Sequence, residues 1–156
     1  MSTEPEPRRV VGFDPGFTTG MVIITQSGQV IKVEDYIPKQ IYHLLENFDP
    51  AKYVIAMERF TIRRGIRYFE PTAMEIQAVV RYICERRGFD LYEMDPAQHK
   101  PVPVHVPQEA RVSRHTRDAY SIAMYCVKFL LNTKADVPSE APPPTWYGAG
   151  RRRVRQ

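Results

Sequence analysis

Hydrophobic and polar positions alternate along the chain in a way that predicts short strands mixed with amphipathic helices. Apolar runs bounded by turn residues predict five strands, at residues 9–14, 21–26, 29–36, 52–58 and 89–94. Helical spacing predicts three helices, in about ten residues from Pro38, at 71–87 and at 115–133. The turn sequences PGFTTG and SG join the first three strands closely, which is typical of an antiparallel meander. The predicted order is β β β α β α β α, an α/β fold.

The apolar positions of two predicted helices indicate how these helices pack. The helix at 71–87 is apolar over more than half of its circumference, whereas a helix that lies on a sheet needs only one apolar stripe. The surplus predicts a second buried surface, covered either by another copy of the chain in a twofold dimer or by the C-terminal tail. The last helix is expected to bury a stripe that contains Ile122, Cys126 and Phe129.

The length of 156 residues suits one compact domain and is too short for two. We assign residues 1–134 to that domain. The segment from Ala135 onward ends APPPTWYGAGRRRVRQ, a composition that cannot bury enough apolar surface to fold by itself. Residues 135–156 are therefore predicted to form a flexible, basic, proline-rich tail.

Composition excludes several classes of protein. No stretch approaches the roughly 20 apolar residues of a membrane-spanning helix. The N-terminal sequence MSTEPEPRRV lacks the apolar run of a secretory signal, so we expect a cytoplasmic protein without membrane contact. No GK[ST] sequence of a phosphate-binding Walker loop occurs, and we expect no nucleotide cofactor. Cys84 and Cys126 form no CxxC pair and are expected to be buried free thiols.

The net charge of +4 and the basic isoelectric point favour a polyanionic partner. The arginines concentrate in two groups, Arg59, Arg63, Arg64 and Arg67 in the first and Arg111, Arg114 and Arg117 in the second. Charge alone allows two interpretations, a phosphate-binding face or solvated loops and helix ends. His99 and His105 are separated by prolines and are expected to lie in a surface loop.

Three acids occupy positions that this topology can bring together. Asp14 and Glu58 each end a predicted strand. Asp118 lies in the first turn of the last helix, with His115 three residues earlier on the same face. If that helix packs beside strands one and four, three carboxylates and one imidazole meet at one edge of the sheet. Such a cluster is unfavourable unless a cation neutralises it, and hard oxygen ligands favour Mg²⁺ or Mn²⁺. Taken singly, each acid also suits a turn, a helix start or an ion pair.

Four phrases, VVGFDPGFTTG, AMERF, AQHK and HTRDAYSIA, resemble in this order the motifs of the RuvC family of Holliday junction resolvases. The resemblance covers roughly residues 9–133, and the short linkers are more similar to those of phage members than to the bacterial housekeeping enzyme. It implies a ribonuclease H-like fold, in which a central mixed sheet of three antiparallel strands followed by parallel ones is flanked by helices. It also implies a homodimer that acts on branched DNA.

The resemblance implies roles for individual residues. Asp14 is similar to the family's first-strand aspartate, Glu58 to its fourth-strand glutamate, and Asp118 to the final aspartate of its last helix. His115 stands where the family usually has another acid. These four would hold two Mg²⁺ or Mn²⁺ ions per site, and the imidazole favours Mn²⁺.

The resemblance also extends to DNA contacts. Lys100 resembles a family lysine near the scissile phosphate and would act in catalysis, and Arg111 resembles a second basic residue. Phe60 resembles an aromatic wedge, for which Tyr68 and Phe69 are alternatives. The two arginine groups would bind the DNA strands by their phosphates.

The implied activity is metal-dependent cleavage of four-way junctions by paired symmetric nicks, through two-metal phosphodiester hydrolysis that leaves 5′ phosphates. Three alternatives stay open. The chain could be a broader debranching nuclease that cuts flaps and forks, an RNA-processing nuclease of the related YqgF type, or a catalytically silent binder of branched DNA. The YqgF type usually has an arginine in the first loop, where this chain has Phe17, Thr18 and Thr19. The presence of Asp14, Glu58 and Asp118 together argues against a silent binder.

Overall fold

The computed structural model describes residues 6–61, 65, 71–105 and 112–131. The strands are β1 (Arg9–Asp14), β2 (Thr19–Ile24), β3 (Val30–Tyr36), β4 (Tyr53–Glu58) and β5 (Leu91–Met94). The helices are α1 (Pro38–Asn47), α2 (Pro71–Arg87), α3 (Pro96–His99) and α4 (Arg114–Tyr125). A π-helical segment, Cys126–Leu131, continues α4. The short helix α3 is an addition to the predicted order.

The five strands form one mixed sheet in the order β3-β2-β1-β4-β5. The meander β1, β2 and β3 is antiparallel, whereas β4 pairs in parallel with β1 on one side and with β5 on the other. Because β1 and β4 run in the same direction, their last residues, Asp14 and Glu58, lie at the same edge of the sheet.

Both faces of the sheet are covered, and the alternation of side chains along each strand separates two cores. Val11 and Phe13 of β1 pack in the core beneath α1 and α2. Val10 of the same strand packs in the core beneath α4, with Val54 of β4 and Ile122 of α4. The sheet is therefore enclosed between two helical layers, and α4 lies over its centre.

Two glycines let α4 approach the sheet at the distance of backbone contact. A Cβ atom at Gly20 would overlap the carbonyl group of His115 and lie 2.5 Å from the Thr116 nitrogen. A Cβ atom at Gly12 would lie 2.9 Å from the Cβ of Ala123 and overlap the Ala119 carbonyl oxygen. Neither strand tolerates a side chain at these positions, so β1 and β2 fix the distance of the helix from the sheet.

The buried residues of the last helix differ in part from the predicted ones. Ile122 and Cys126 are fully buried as expected, but Phe129 is 52% exposed, so that part of the prediction is wrong. The π-helical segment has more residues per turn than an α-helix, and this rotates the following positions around the helix. Val127 takes a buried place instead.

The predictions about two histidines and the two cysteines are confirmed in part. His99 is fully buried at the end of α3, so its expected place in a surface loop is wrong, while His105 is exposed. Cys84 and Cys126 are buried free thiols, as predicted. Burial raises the pKa of the Cys84 thiol to about 12, with a smaller contribution from the charge of Glu93.

Within the described ranges, no helix is long and apolar enough to span a membrane. The tail at 135–156 lies outside the described residues, and the division of the chain at residue 134 stays a prediction.

Candidate active site

Asp14 ends β1 and Glu58 ends β4 at the same edge of the sheet, and both Glu58 and Asp118 of α4 lie near enough to Asp14 for their charges to act on it. The pKa of Asp14 is raised from 3.8 to about 6. Burial is the largest cause, and the charges of Asp118 and Glu58 raise the pKa further. The hydrogen bond from His115 and its charge act in the opposite direction. The site therefore concentrates negative charge where water is partly excluded.

His115 faces Asp14 because α4 begins at a defined position. Ser113 caps the helix, since its side-chain oxygen accepts from the Thr116 nitrogen at 3.1 Å and its own nitrogen donates to the Thr116 hydroxyl at 2.8 Å. The Ser113 hydroxyl also donates to Asp35 Oδ1 at 2.8 Å, which ties the cap to β3. His115 Nδ1 then lies 3.1 Å from Asp14 Oδ2.

Glu58 has a buried partner that the sequence interpretation did not assign to the site. His99 Nε2 lies 2.5 Å from Glu58 Oε2, and its Nδ1 lies 2.7 Å from Ser121 Oγ. The Ser121 hydroxyl donates its single proton to the carbonyl oxygen of Asp118 at 2.9 Å. The proton between His99 and Ser121 therefore belongs to Nδ1.

The donor set suits a hard or borderline divalent cation. Carboxylate oxygens and one imidazole are ligands for Mg²⁺ and Mn²⁺, and a cation would relieve the unfavourable charge on Asp14. In the described part of the chain, no group of three or more histidine, cysteine or acidic side chains is arranged so that it could hold a metal ion. Asp14 Oδ2 and Glu58 Oε2 are each paired with a histidine, and among the described residues none forms a hydrogen bond with Oδ1 or Oε1.

Two solved structures are similar to this chain. Thermus thermophilus RuvC in complex with Holliday junction substrate has a TM-score of 0.56 at 17% identity, covering 76% of this chain and 91% of that chain. A second structure of Thermus thermophilus RuvC has a TM-score of 0.57 at 18% identity, covering 75% and 92%. No family model and no curated protein matches the sequence.

The chain has a RuvC-like fold. The prediction of a ribonuclease H-like α/β fold, with a mixed five-stranded sheet between helices, is confirmed by its topology and by these similarities. Similarity at this level of identity shows the fold alone, and the individual site residues stay predictions.

The structure describes some of the DNA-binding residues named from the sequence and leaves others outside its described ranges. Lys100 follows His99 directly and is exposed, and Arg114 and Arg117 are exposed in the first turn of α4. Arg59 and Phe60 follow Glu58 and are partly buried. The remaining predicted contacts lie outside the described residues, namely Arg63, Arg64, Arg67, Tyr68, Phe69 and Arg111.

A buried polar network fixes the chain immediately after Glu58. The Phe60 nitrogen donates to Gln77 Oε1 at 3.1 Å, and Gln77 Nε2 donates to Glu93 Oε1 at 3.1 Å. Arg81 Nε donates to the same carboxylate oxygen at 2.7 Å. The Arg59 nitrogen donates to the Met94 carbonyl at 2.7 Å. The sequence carried one signal of this network, an acid at position 93 within an apolar strand, which needs a buried partner.

Asp14 predicts a specific dependence of stability on pH in this RuvC-like fold. Its folded pKa of about 6 lies above the ordinary 3.8, so the folded state binds the proton more tightly than the unfolded state does. The stabilising contribution is complete below about pH 4 and is lost as the pH rises through about 6, amounting to about 3 kcal/mol.

Urea unfolding of the metal-free wild type and of Asp14→Asn, from pH 4 to pH 8, measures this contribution. The two proteins should be similar at pH 4, and the variant should be the more stable at pH 8. A constant difference in the free energy of unfolding across the range would contradict the assignment of a buried, destabilised carboxylate.

Proposed function

We propose that this chain is a metal-dependent, structure-selective DNA endonuclease that resolves four-way junctions by paired symmetric nicks. The observation that carries the proposal is that Glu58 and Asp118 lie near enough to Asp14, at one edge of a RuvC-like sheet, for their charges to raise its pKa. One similar RuvC structure is described in complex with Holliday junction substrate, which supports branched DNA as the substrate class.

In this proposal Asp14, Glu58, His115 and Asp118 hold two Mg²⁺ or Mn²⁺ ions. When bound, such ions supply an activated water and stabilisation of the leaving oxygen. The residues themselves provide oxygen and nitrogen ligands from three elements, β1, β4 and α4. Since α4 packs directly on β1 and β2, the ligands are held by the rigid part of the fold.

Basic residues around the acids would bind the DNA backbone. Lys100, exposed directly after α3 and beside the buried His99, would neutralise charge on the scissile phosphate. Arg114 and Arg117 are exposed on the first turn of α4, next to His115 and Asp118. Arg59, Arg63, Arg64, Arg67 and Arg111 complete the proposed phosphate contacts, and Phe60 is the proposed wedge.

The outer face of α2 supports the proposed homodimer. Tyr82 is 63% exposed, and Met74 and Ala78 are exposed on the same helix, while Ile76, Val80 and Ile83 are buried against the sheet. The surplus of apolar residues thus faces away from the core, where a second copy of α2 would cover it. Two active sites related by a twofold axis would match the symmetry of a four-way junction.

His115 predicts a preference for Mn²⁺ over Mg²⁺, because imidazole nitrogen is the better ligand for Mn²⁺. Cleavage rates measured over a full titration with each metal should be higher with Mn²⁺. Replacing His115 by aspartate should narrow the difference between the rates with Mn²⁺ and Mg²⁺, since it exchanges a nitrogen ligand for an oxygen ligand. Equal wild-type rates with both metals would remove the argument.

The proposed function is tested with labelled DNA. Purified protein is incubated with a four-way junction, a 5′ flap, a replication fork and a linear duplex, and with a structured RNA, each with Mg²⁺ or Mn²⁺. Symmetric nicks confined to the junction would establish a resolvase. Comparable cutting of flap and fork would make the protein a general debranching nuclease, and cleavage of RNA alone would favour the YqgF type. Binding without cleavage by any metal would overturn the proposed activity.

A further inference from the structure

The buried imidazole of His99 joins two elements of the candidate site. His99 lies in the short helix α3, which hydrogen bonds hold at its start and at its end. The Asp95 nitrogen donates to Gln98 Oε1 at 2.8 Å, and Gln98 Nε2 donates to the Tyr125 hydroxyl on α4 at 3.3 Å. The Val102 nitrogen donates to the His99 carbonyl at 2.9 Å. The ring therefore has a defined place between β4 and α4.

Both ring nitrogens of His99 are used for contacts with the site. Nε2 contacts Oε2 of Glu58 at the end of β4, and Nδ1 donates to Ser121, whose hydroxyl donates to the Asp118 carbonyl. The ring thus spans the gap between the strand end and the first turns of the helix. An apolar residue would fill the same buried volume without either contact, so core packing alone does not explain a histidine here.

We propose that His99 is a positioning residue for Glu58 and for the turn of α4 that carries Asp118. It holds Glu58 by Oε2 and leaves Oε1 as the oxygen available to a metal ion. The inference rests on the proposed metal-dependent function of this site. It adds a residue to that function which contacts neither metal nor DNA and acts through the orientation of a ligand.

The consequence of losing this contact follows from the charges nearby. Glu58 is one of two acids whose charge acts on Asp14, so a released Glu58 side chain would turn away from Asp14 and Asp118 toward water. Turning the Glu58 carboxylate back toward a metal ion would then cost free energy, so the metal would bind more weakly. Hydrogen-bonded partners of metal ligands typically contribute about 10- to 100-fold in metal affinity.

Four variants separate positioning from simple packing. His99→Phe fills the space of the imidazole but forms neither of its hydrogen bonds. His99→Gln keeps one N–H donor directed at Glu58. Ser121→Ala removes the acceptor for Nδ1 and leaves the ring in place. His105→Gln is the matched control, because His105 is an exposed histidine of the following segment.

The first measurement is Mn²⁺ affinity by titration calorimetry, without DNA. His99→Phe should bind Mn²⁺ about 10- to 100-fold more weakly, with Ser121→Ala between it and the wild type. His99→Gln should recover most of the affinity, and His105→Gln should match the wild type. Mn²⁺ affinity of His99→Phe equal to that of the wild type would overturn the proposal.

Two further measurements identify a merely structural role. Thermal unfolding without metal reports packing, and a variant with lower thermal stability but unchanged Mn²⁺ affinity would overturn positioning. In junction cleavage, the Mn²⁺ concentration for half-maximal rate should rise by the same factor as the affinity falls, while KM for DNA stays unchanged. If His99→Phe does not fold, Ser121→Ala supplies the same test, and its wild-type Mn²⁺ affinity would overturn the proposal.

This design also separates the inference from the proposed function. If wild-type protein binds Mn²⁺ but cuts no nucleic acid, the calorimetric comparison still tests His99. If wild-type protein cuts junctions and His99→Phe retains full Mn²⁺ affinity and full rate, the proposed function stands and the positioning role is wrong.

Discussion

Replacement of Asp14 by asparagine is expected to lower the rate of junction cleavage by about 1,000-fold or more, while junction affinity changes less than about threefold. The charge of Asp14 is unfavourable in the metal-free site, because burial and the neighbouring acids raise its pKa, and its carboxylate is the group that a cation would neutralise. Asparagine keeps the size and one acceptor for His115 but loses the charge. Phosphate contacts by lysine and arginine supply most of the DNA affinity and are unaffected.

Single-turnover cleavage with a labelled junction measures the rate, and a gel-shift titration in Ca²⁺ measures the affinity. Asp49→Asn is the control, since Asp49 is an exposed acid before the start of β4, at the opposite edge of the sheet. Glu58→Gln and Asp118→Asn should resemble Asp14→Asn. Loss of folding in all three variants would show that these acids are structural.

Replacement of Gly20 by alanine is expected to lower the free energy of unfolding by about 3 kcal/mol or more. The added Cβ would overlap the carbonyl of His115 and press on the Thr116 nitrogen, and backbone atoms cannot rotate out of the way as side chains do. The first turn of α4 must therefore move away from β2. Cleavage should fall as well, because that turn positions His115 against Asp14.

Urea unfolding monitored by circular dichroism checks this effect, with Gly16→Ala as the matched control. A Cβ at Gly16 would meet only the Thr18 carbonyl oxygen, at 3.2 Å, in the loop before β2. That variant should lose less than about 1 kcal/mol. Equal stability of both variants would show that α4 is not held against the sheet at backbone distance.

The strands and the acids could be predicted because their signals are local. Apolar runs identify β1 and β4, and an acid at the end of each run must lie at an edge of the sheet, whatever the details of packing. The π-helical segment gives no such signal, because the residues from Cys126 onward keep ordinary helical spacing in the sequence. Ordinary helical spacing therefore predicts a buried Phe129, whereas the side chain lies on the exposed side.

The role of His99 was missed for a different reason. Its neighbours Pro96 and Pro101 are typical of a loop, and the local sequence indicates exposure. Its burial depends on Ser121 and Glu58, which are 22 and 41 positions away. A single sequence gives no measure of such contacts. One weaker signal existed, since AQHK already belonged to the resemblance and placed this histidine beside the proposed catalytic Lys100.

The network beyond Glu58 has a mechanical consequence. The chain leaves β4 through Arg59 and Phe60, whose backbone nitrogens are fastened to Met94 of β5 and to Gln77 of α2. If DNA binds the arginine-rich segment that follows, as proposed, these two hydrogen bonds would transmit the resulting force into the sheet and α2. Glu58, the proposed metal ligand that precedes them, would be shielded from that force.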